Sequence, residues 1–137
     1  MTASGTMRAM SANTTSDMTI AATVIRQIQT ALTVPETGGI LGVRAGRVVS
    51  EFHHDSTGTT TERNYIPDTE SLNAVLRDWQ RRGIEFVGFV HSHRADKKNL
   101  SKLDIRYAEK IKTHCGMSEI LMLIYLPDDK TIHKYIL

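Results

Sequence analysis

IEFVGFVHSHRADKKNLSKLD, residues 84 to 104, governs how the rest of the chain is read. Its opening part, residues 84 to 91, is a largely apolar run rich in Val, Ile and Phe. That is the pattern of a strand buried on both faces at the centre of a sheet. RADKKNL is polar and reads as a loop, and Ser101 opens a helix with Ile105, Ala108, Ile111 and Cys115 on one face. Between strand and helix stand His91-Ser92-His93 and the pair Ser101 and Asp104. If the strand continues to residue 93, His91 and His93 point the same way, their Cα atoms about 6.5 Å apart. Imidazoles at that spacing can share one metal, since Zn–N bonds are about 2.0–2.1 Å. Ser101 and Asp104 are three residues apart and fall on nearly the same helical face. One loop can therefore close a site of two His, one Asp and a water, and three protein ligands with an open position is the pattern of catalytic zinc. Ser-x-x-Asp is equally the chemistry of a helix cap, with an acid in the first turn. His-x-His alone is also common on surfaces, so the spacing leaves the plain reading open.

Working outward, Asp17 can cap a first helix with Ile20, Val24, Ile25, Ile28, Ala31 and Leu32 on one face, ending before Pro35. GGILGVRAGRVVSEFHH, residues 38 to 54, predicts a hairpin turning at Arg44-Ala45-Gly46-Arg47. HDSTGTTTERN is a polar loop. Asp68 or Thr69 opens a second helix with Leu72, Val75, Leu76 and Trp79 inward, and Gly83 is placed to end it. ILMLIYL and TIHKYIL flank Pro127-Asp128-Asp129-Lys130 as a final hairpin. The order α-β-β-α-β-α-β-β defines an α+β (mixed α/β) domain, a central sheet packed by helices. Residues 1–16 are Ser/Thr/Ala-rich and read as a disordered segment, leaving 17–137 as one domain.

The composition narrows the function classes. The chain has 137 residues, 40% hydrophobic and 23% charged, with a net charge of +2. That charge is too small, and its Lys and Arg too dispersed, for a nucleic-acid partner. No run approaches the ~18 apolar residues that span a bilayer. The single cysteine, Cys115, rules out an intrachain disulfide, and its predicted place on the apolar helix face makes it a buried small hydrophobe. The N-terminus lacks a secretory apolar stretch, so a cytoplasmic location is expected. His53 and His54 end a strand, where one can face a cleft, and His114 and His133 read as surface residues.

His-x-His, seven residues, then Ser-x-x-Asp resembles the signature of the JAMM, or MPN-plus (JAB-type), zinc metalloproteases, in their minimal prokaryotic form. The resemblance extends to Pro35-Glu36-Thr37-Gly38-Gly39-Ile40-Leu41-Gly42, to Tyr65-Ile66-Pro67-Asp68 and to Gly88. It implies an MPN/JAB-like (cytidine-deaminase-like) fold. It also implies one Zn²⁺ per chain held by His91, His93 and Asp104, with Glu36 as general base and Ser101 as hydrogen-bond donor to the oxyanion. The implied reaction is hydrolysis of the peptide or isopeptide bond after the C-terminal tail of a ubiquitin-like or sulfur-carrier-type protein. A non-catalytic MPN-type scaffold and a metallohydrolase of small amides are the alternatives. Gly38, Gly39 and Gly42 are expected to let backbone, including that of a substrate, approach closely. One departure stands out: Arg94 follows His-Ser-His where the family usually has Pro, which softens the loop and adds a charge.

Overall fold

The structure is a computed structural model that describes residues 18–33, 36–60, 65–94 and 99–137. The segment 1–16, expected from sequence to be disordered, the cap at Asp17, Pro35 and parts of the two polar loops lie outside the described residues. The elements are β1 (Thr19–Ile20), α1 (Ala22–Ala31), β2 (Gly38–Val43), β3 (Val48–Val49), β4 (Glu51–His54), β5 (Thr59–Thr60), β6 (Tyr65–Ile66), α2 (Thr69–Arg81), β7 (Glu85–Ser92), α3 (Lys102–His114), β8 (Leu121–Leu126) and β9 (Thr131–Ile136).

Five strands form one mixed sheet in the order β4-β2-β7-β8-β9. β2 is antiparallel to β4 and β7, β8 is antiparallel to β9, and only β7 and β8 are parallel. That parallel pair needs a crossover, and α3 supplies it. β7 sits at the centre, as its unbroken apolar run requires. Helices cover both faces. Val24, Ile28 and Leu32 of α1 pack with Leu41, Val87, Val90, Leu121 and Leu123. Leu72 and Trp79 of α2 and Ala108 of α3 pack on the other face with Ile40, Phe89 and Met122. Each of these side chains is less than a tenth exposed. The architecture is the expected α+β one, with two short additions. β1 pairs in parallel with β3, and the polar stretch after β4 contains the two-residue ribbon β5–β6 rather than a plain loop.

Local chemistry explains the boundaries. α2 starts where the Asp68 carboxylate accepts the Ser71 N–H at 3.1 Å, and Gly83 follows its end at φ 72°, a conformation open to glycine. α1 starts at Ala22 with Ala21 at its N-cap and no side-chain cap, so Ile20 lies in β1 and not on the helix face.

β7 does not alternate regularly. Between Leu41 and Gly42 the register with β2 slips: Leu41 faces Gly88 and Gly42 faces Phe86, so Val87 has no partner on β2. This is the geometry of a bulge. It puts Phe86 and Phe89 in one core layer and Val87 and Val90 in the other. Gly88 also allows β8 to close in, since a Cβ there would lie 1.8 Å from the Leu121 carbonyl oxygen.

Two sequence expectations for α3 are corrected. Cys115 is exposed at the helix C-cap, and Ile105 is 40% exposed. The inward line runs through Asp104 and Ala108, with Tyr107 and Ile111 partly buried beside them. The first turn must face the histidines with Asp104, which rotates Ile105 outward. The close approaches at Gly39 and Gly42 are likewise internal. A Cβ on Gly39 would meet the His53 carbonyl oxygen at 2.2 Å, and one on Gly42 would meet Ile84 and Trp79 at 2.7 Å.

Candidate metal centre

Three pieces of chain meet at the C-terminal end of β7. His91 is the penultimate residue of that strand, opposite Gly38 of β2 and Ile124 of β8. His93 lies one residue past the strand, still held because its N–H donates to the Tyr125 carbonyl at 2.9 Å. Both rings are buried, with centroids 4.9 Å apart. The N-terminus of α3 brings Asp104. Its Oδ2 accepts the Ser101 N–H at 2.8 Å while Ser101 Oγ accepts the Asp104 N–H at 3.0 Å, a complete capping box. The cap and the convergence with the histidines therefore coexist in the same carboxylate.

Asp104 Oδ1 lies 3.2 Å from His91 Nε2, and Oδ2 lies 3.4 Å from His93 Nε2. Neighbouring ligands on a tetrahedral zinc with bonds near 2.05 Å are about 3.3 Å apart. Asp104 reaches each ring at about that spacing, through a different oxygen for each. Glu36 enters from the segment before β2, its Oε1 3.6 Å from His93 Nε2. Ligand atoms of Glu36, His91 and His93 all fall within 4.8 Å of one another, so these residues alone could hold a metal ion. We take Asp104 as the better ligand of the two carboxylates, because it reaches both rings at ligand spacing and its cap fixes it there.

The protonation states suit ligation. Burial of His91 lowers its pKa from 6.5 to about 4; Asp104 opposes the shift and His93 adds to it. The ring is neutral near pH 7, as a metal ligand must be. Burial pushes the Asp104 carboxyl up, but the His93 hydrogen bond, the His91 ring and the Ser101 N–H together outweigh it and hold the group at about 2. It is a carboxylate at any working pH. Below the site, Phe89 packs against Tyr107 at 5.2 Å, and burial raises the Tyr107 pKa to about 12.

The structure thus brings Glu36, His91, His93, Ser101 and Asp104 together. Ser101 is exposed, and its bond with Asp104 uses it as acceptor, leaving its proton to donate. Arg94 is exposed at the rim. His53 and His54 lie on the edge strand β4; His54 lines an open groove with Phe52, Thr23, Arg26, Gln27, Thr30 and Ala31 of the α1 side. Burial lowers the His53 pKa, against the pull of Asp55. Sequence reading missed Ser92, which is fully buried between the two histidines. The only available signal was a hydroxyl inside an otherwise apolar strand.

Fold and site define a small α+β domain in which imidazoles and carboxylates that could hold a metal ion gather where a strand end meets a helix start. A family model described as prokaryotic homologs of the JAB domain matches residues 19–130, and the chain belongs to that family. The solution structure of a protein from Desulfitobacterium hafniense has the same fold, with a TM-score of 0.67 at 18% identity, over 87% of this chain and 82% of that one. A JAB1/MPN domain protein from Archaeoglobus fulgidus aligns with a TM-score of 0.47 at 18% identity, over 88% of each chain. No curated protein matches the chain. Among the described residues, no helix is long and apolar enough to cross a membrane.

Proposed function

We propose that this domain is a zinc-dependent peptidase or isopeptidase. In this reading it acts after the extended C-terminal tail of a ubiquitin-like or sulfur-carrier-type protein. The observation that carries the reading is the convergence of Asp104 on His91 and His93, with Glu36 beside His93. The donor set of two imidazoles and one carboxylate suits zinc and leaves a position open. A zinc ion there supplies Lewis-acid activation of a carbonyl and of a water.

The chain's own groups do the rest. Glu36 Oε1 takes a proton from the attacking water as its oxygen bonds to the carbonyl carbon. It then delivers that proton to the departing nitrogen as the C–N bond breaks. Ser101 donates its hydroxyl proton to the carbonyl oxygen as charge builds there, a contact whose loss typically costs ~10²–10³ in rate. The burial of His91 keeps that ring neutral, and both rings are held in place by their burial. The protein-tail substrate follows from the family resemblance. It is supported by the edge position of β4, where an extended chain can add as a further strand.

The test uses Glu36→Gln and Asp104→Ala on protein loaded with zinc and assayed on ubiquitin-like fusions and small acyl-amino acids. Glu36→Gln should keep one metal per chain and lose ~10²–10⁴ of the rate, the range of a general base. Asp104→Ala should lose the metal. Full activity in Glu36→Gln, or loss of its metal, would sink the assignment of Glu36 as base. Turnover of the small amides alone would move the substrate from protein tails to metabolites.

A further inference from the structure

We propose that Ser92 is the positioning residue that fixes Glu36 against the two histidines, an inference that rests on the reading of Glu36 as the base. Glu36 lies in the connection between α1, which ends at Ala31, and β2, which begins at Gly38. Among its described residues none lies in a helix or strand, yet its carboxylate must stand beside His93. Ser92 supplies the anchor. Its Oγ donates to the Thr33 carbonyl and accepts the Thr37 N–H at 3.0 Å. Its own N–H donates to the Thr37 carbonyl at 2.9 Å. Thr33 N–H in turn donates to Thr37 Oγ1 at 3.1 Å, closing the segment on itself.

A hydroxyl has one proton and two lone pairs, and here it grips both ends of the segment that carries Glu36. Side chains alternate along a strand, so His91 and His93 project to one face of β7 while Ser92 projects to the other. The two histidines and the anchor of the base are thus consecutive residues at the end of the most central strand. Any shift of β7 moves all three together, and the distance from Glu36 to the histidines is preserved. A one-ångström error in such a group can cost ~10² in rate. This gives the middle residue of His-Ser-His a role that neither ligand spacing nor capping explains. Ala, Cys or Val at 92 could fill the space, but none offers a donor and an acceptor of equal strength.

The experiment reads Glu36 directly. Protein with carboxyl-¹³C glutamate is loaded with Co²⁺, whose unpaired electrons shift nearby carbons; the Glu36 signal is identified by its loss in Glu36→Gln. In Ser92→Ala the Co²⁺ content should stay at one per chain. The Glu36 shift should fall by at least half, and the Thr37 amide should exchange at least tenfold faster. Ser92→Thr, which keeps the hydroxyl, should restore both. Thr37→Val removes only the Thr33 N–H contact and should give a smaller change in the same direction, which serves if Ser92→Ala does not fold. With a cleaved substrate, Ser92→Ala should lower kcat about 10–100-fold with KM unchanged, the usual cost of an outer-shell contact. It should add nothing in a Glu36→Gln background. An unmoved Glu36 signal, loss of Co²⁺ from Ser92→Ala, or full additivity with Glu36→Gln would overturn the proposal. If the wild-type protein cleaves nothing offered, the peptidase reading fails, while the Co²⁺ shift still decides the place of Ser92.

Discussion

Gly88→Ala should destabilise the domain at its centre and weaken the metal site with it. A Cβ at residue 88 would sit 1.8 Å from the Leu121 carbonyl oxygen, 2.6 Å from its carbonyl carbon and 2.9 Å from its Cα. All three are backbone atoms, so no rotamer change relieves the contact. Real Cβ atoms essentially never approach a neighbour closer than 3.0 Å, so β7 and β8 must separate by more than roughly 1 Å against a normal spacing of about 4.8 Å. That breaks the ladder where Gly88 faces Leu121 and strains the hydrogen bond from His93 N–H to Tyr125. Overpacking of this kind costs about 1–3 kcal/mol, and two lost ladder bonds add about 1 kcal/mol each. A total of roughly 3–5 kcal/mol lowers the melting temperature of a domain this size by roughly 10–20 °C. Zinc affinity should fall with it, because His91 and His93 ride on the displaced strand. Gly83→Ala is the control. Its φ is 72° but nothing lies within 4 Å of its Cβ position, so only backbone strain of about 1 kcal/mol applies. Thermal and urea unfolding of both variants, with a zinc titration, measures the contrast. A Gly88→Ala protein that melts within a few degrees of wild type, or no less stable than Gly83→Ala, would refute the tight β7–β8 contact.

Chelation should destabilise the metal-loaded protein, by about 4 kcal/mol if free zinc stood at a thousand times its Kd. Asp104→Ala should abolish that difference and in addition cost the chelated protein about 1 kcal/mol of capping, seen as a lower urea midpoint. In acid the metal-free protein should weaken through His91, whose folded pKa of about 4 lies below the ordinary 6.5. The unfolded chain then binds a proton that the buried ring refuses. Stability is full above pH 6.5 and falls as the pH drops toward about 4, by about 3 kcal/mol in all, and His91→Gln should flatten that slope. Cys115, exposed at the end of α3, should react with a thiol reagent in the native protein, which a core cysteine would resist.

Much of this was legible in the residues themselves. The apolar run 84–91 could only be a central strand. Ser101 and Asp104 could only be a good helix start. The spacing of two histidines and an acid across one loop allowed a shared metal, and the family resemblance implied those three residues as its ligands. The sequence could not reveal which way these pieces face, since that is set by packing between distant elements. Strict alternation would put Phe86 and Phe89 on opposite faces of β7. The slip at Val87, set by pairing with β2, puts them in one layer and turns His91 toward α3. Helical periodicity alone favoured Ile105 and Cys115 inward, whereas the demand that Asp104 meet two rings turns α3 and leaves both exposed. Glu36 stands 55 positions before His91 in sequence, and nothing local connects them. Only the closure of β2 against β7, with Ser92 gripping the segment that precedes β2, sets that carboxylate 3.6 Å from His93.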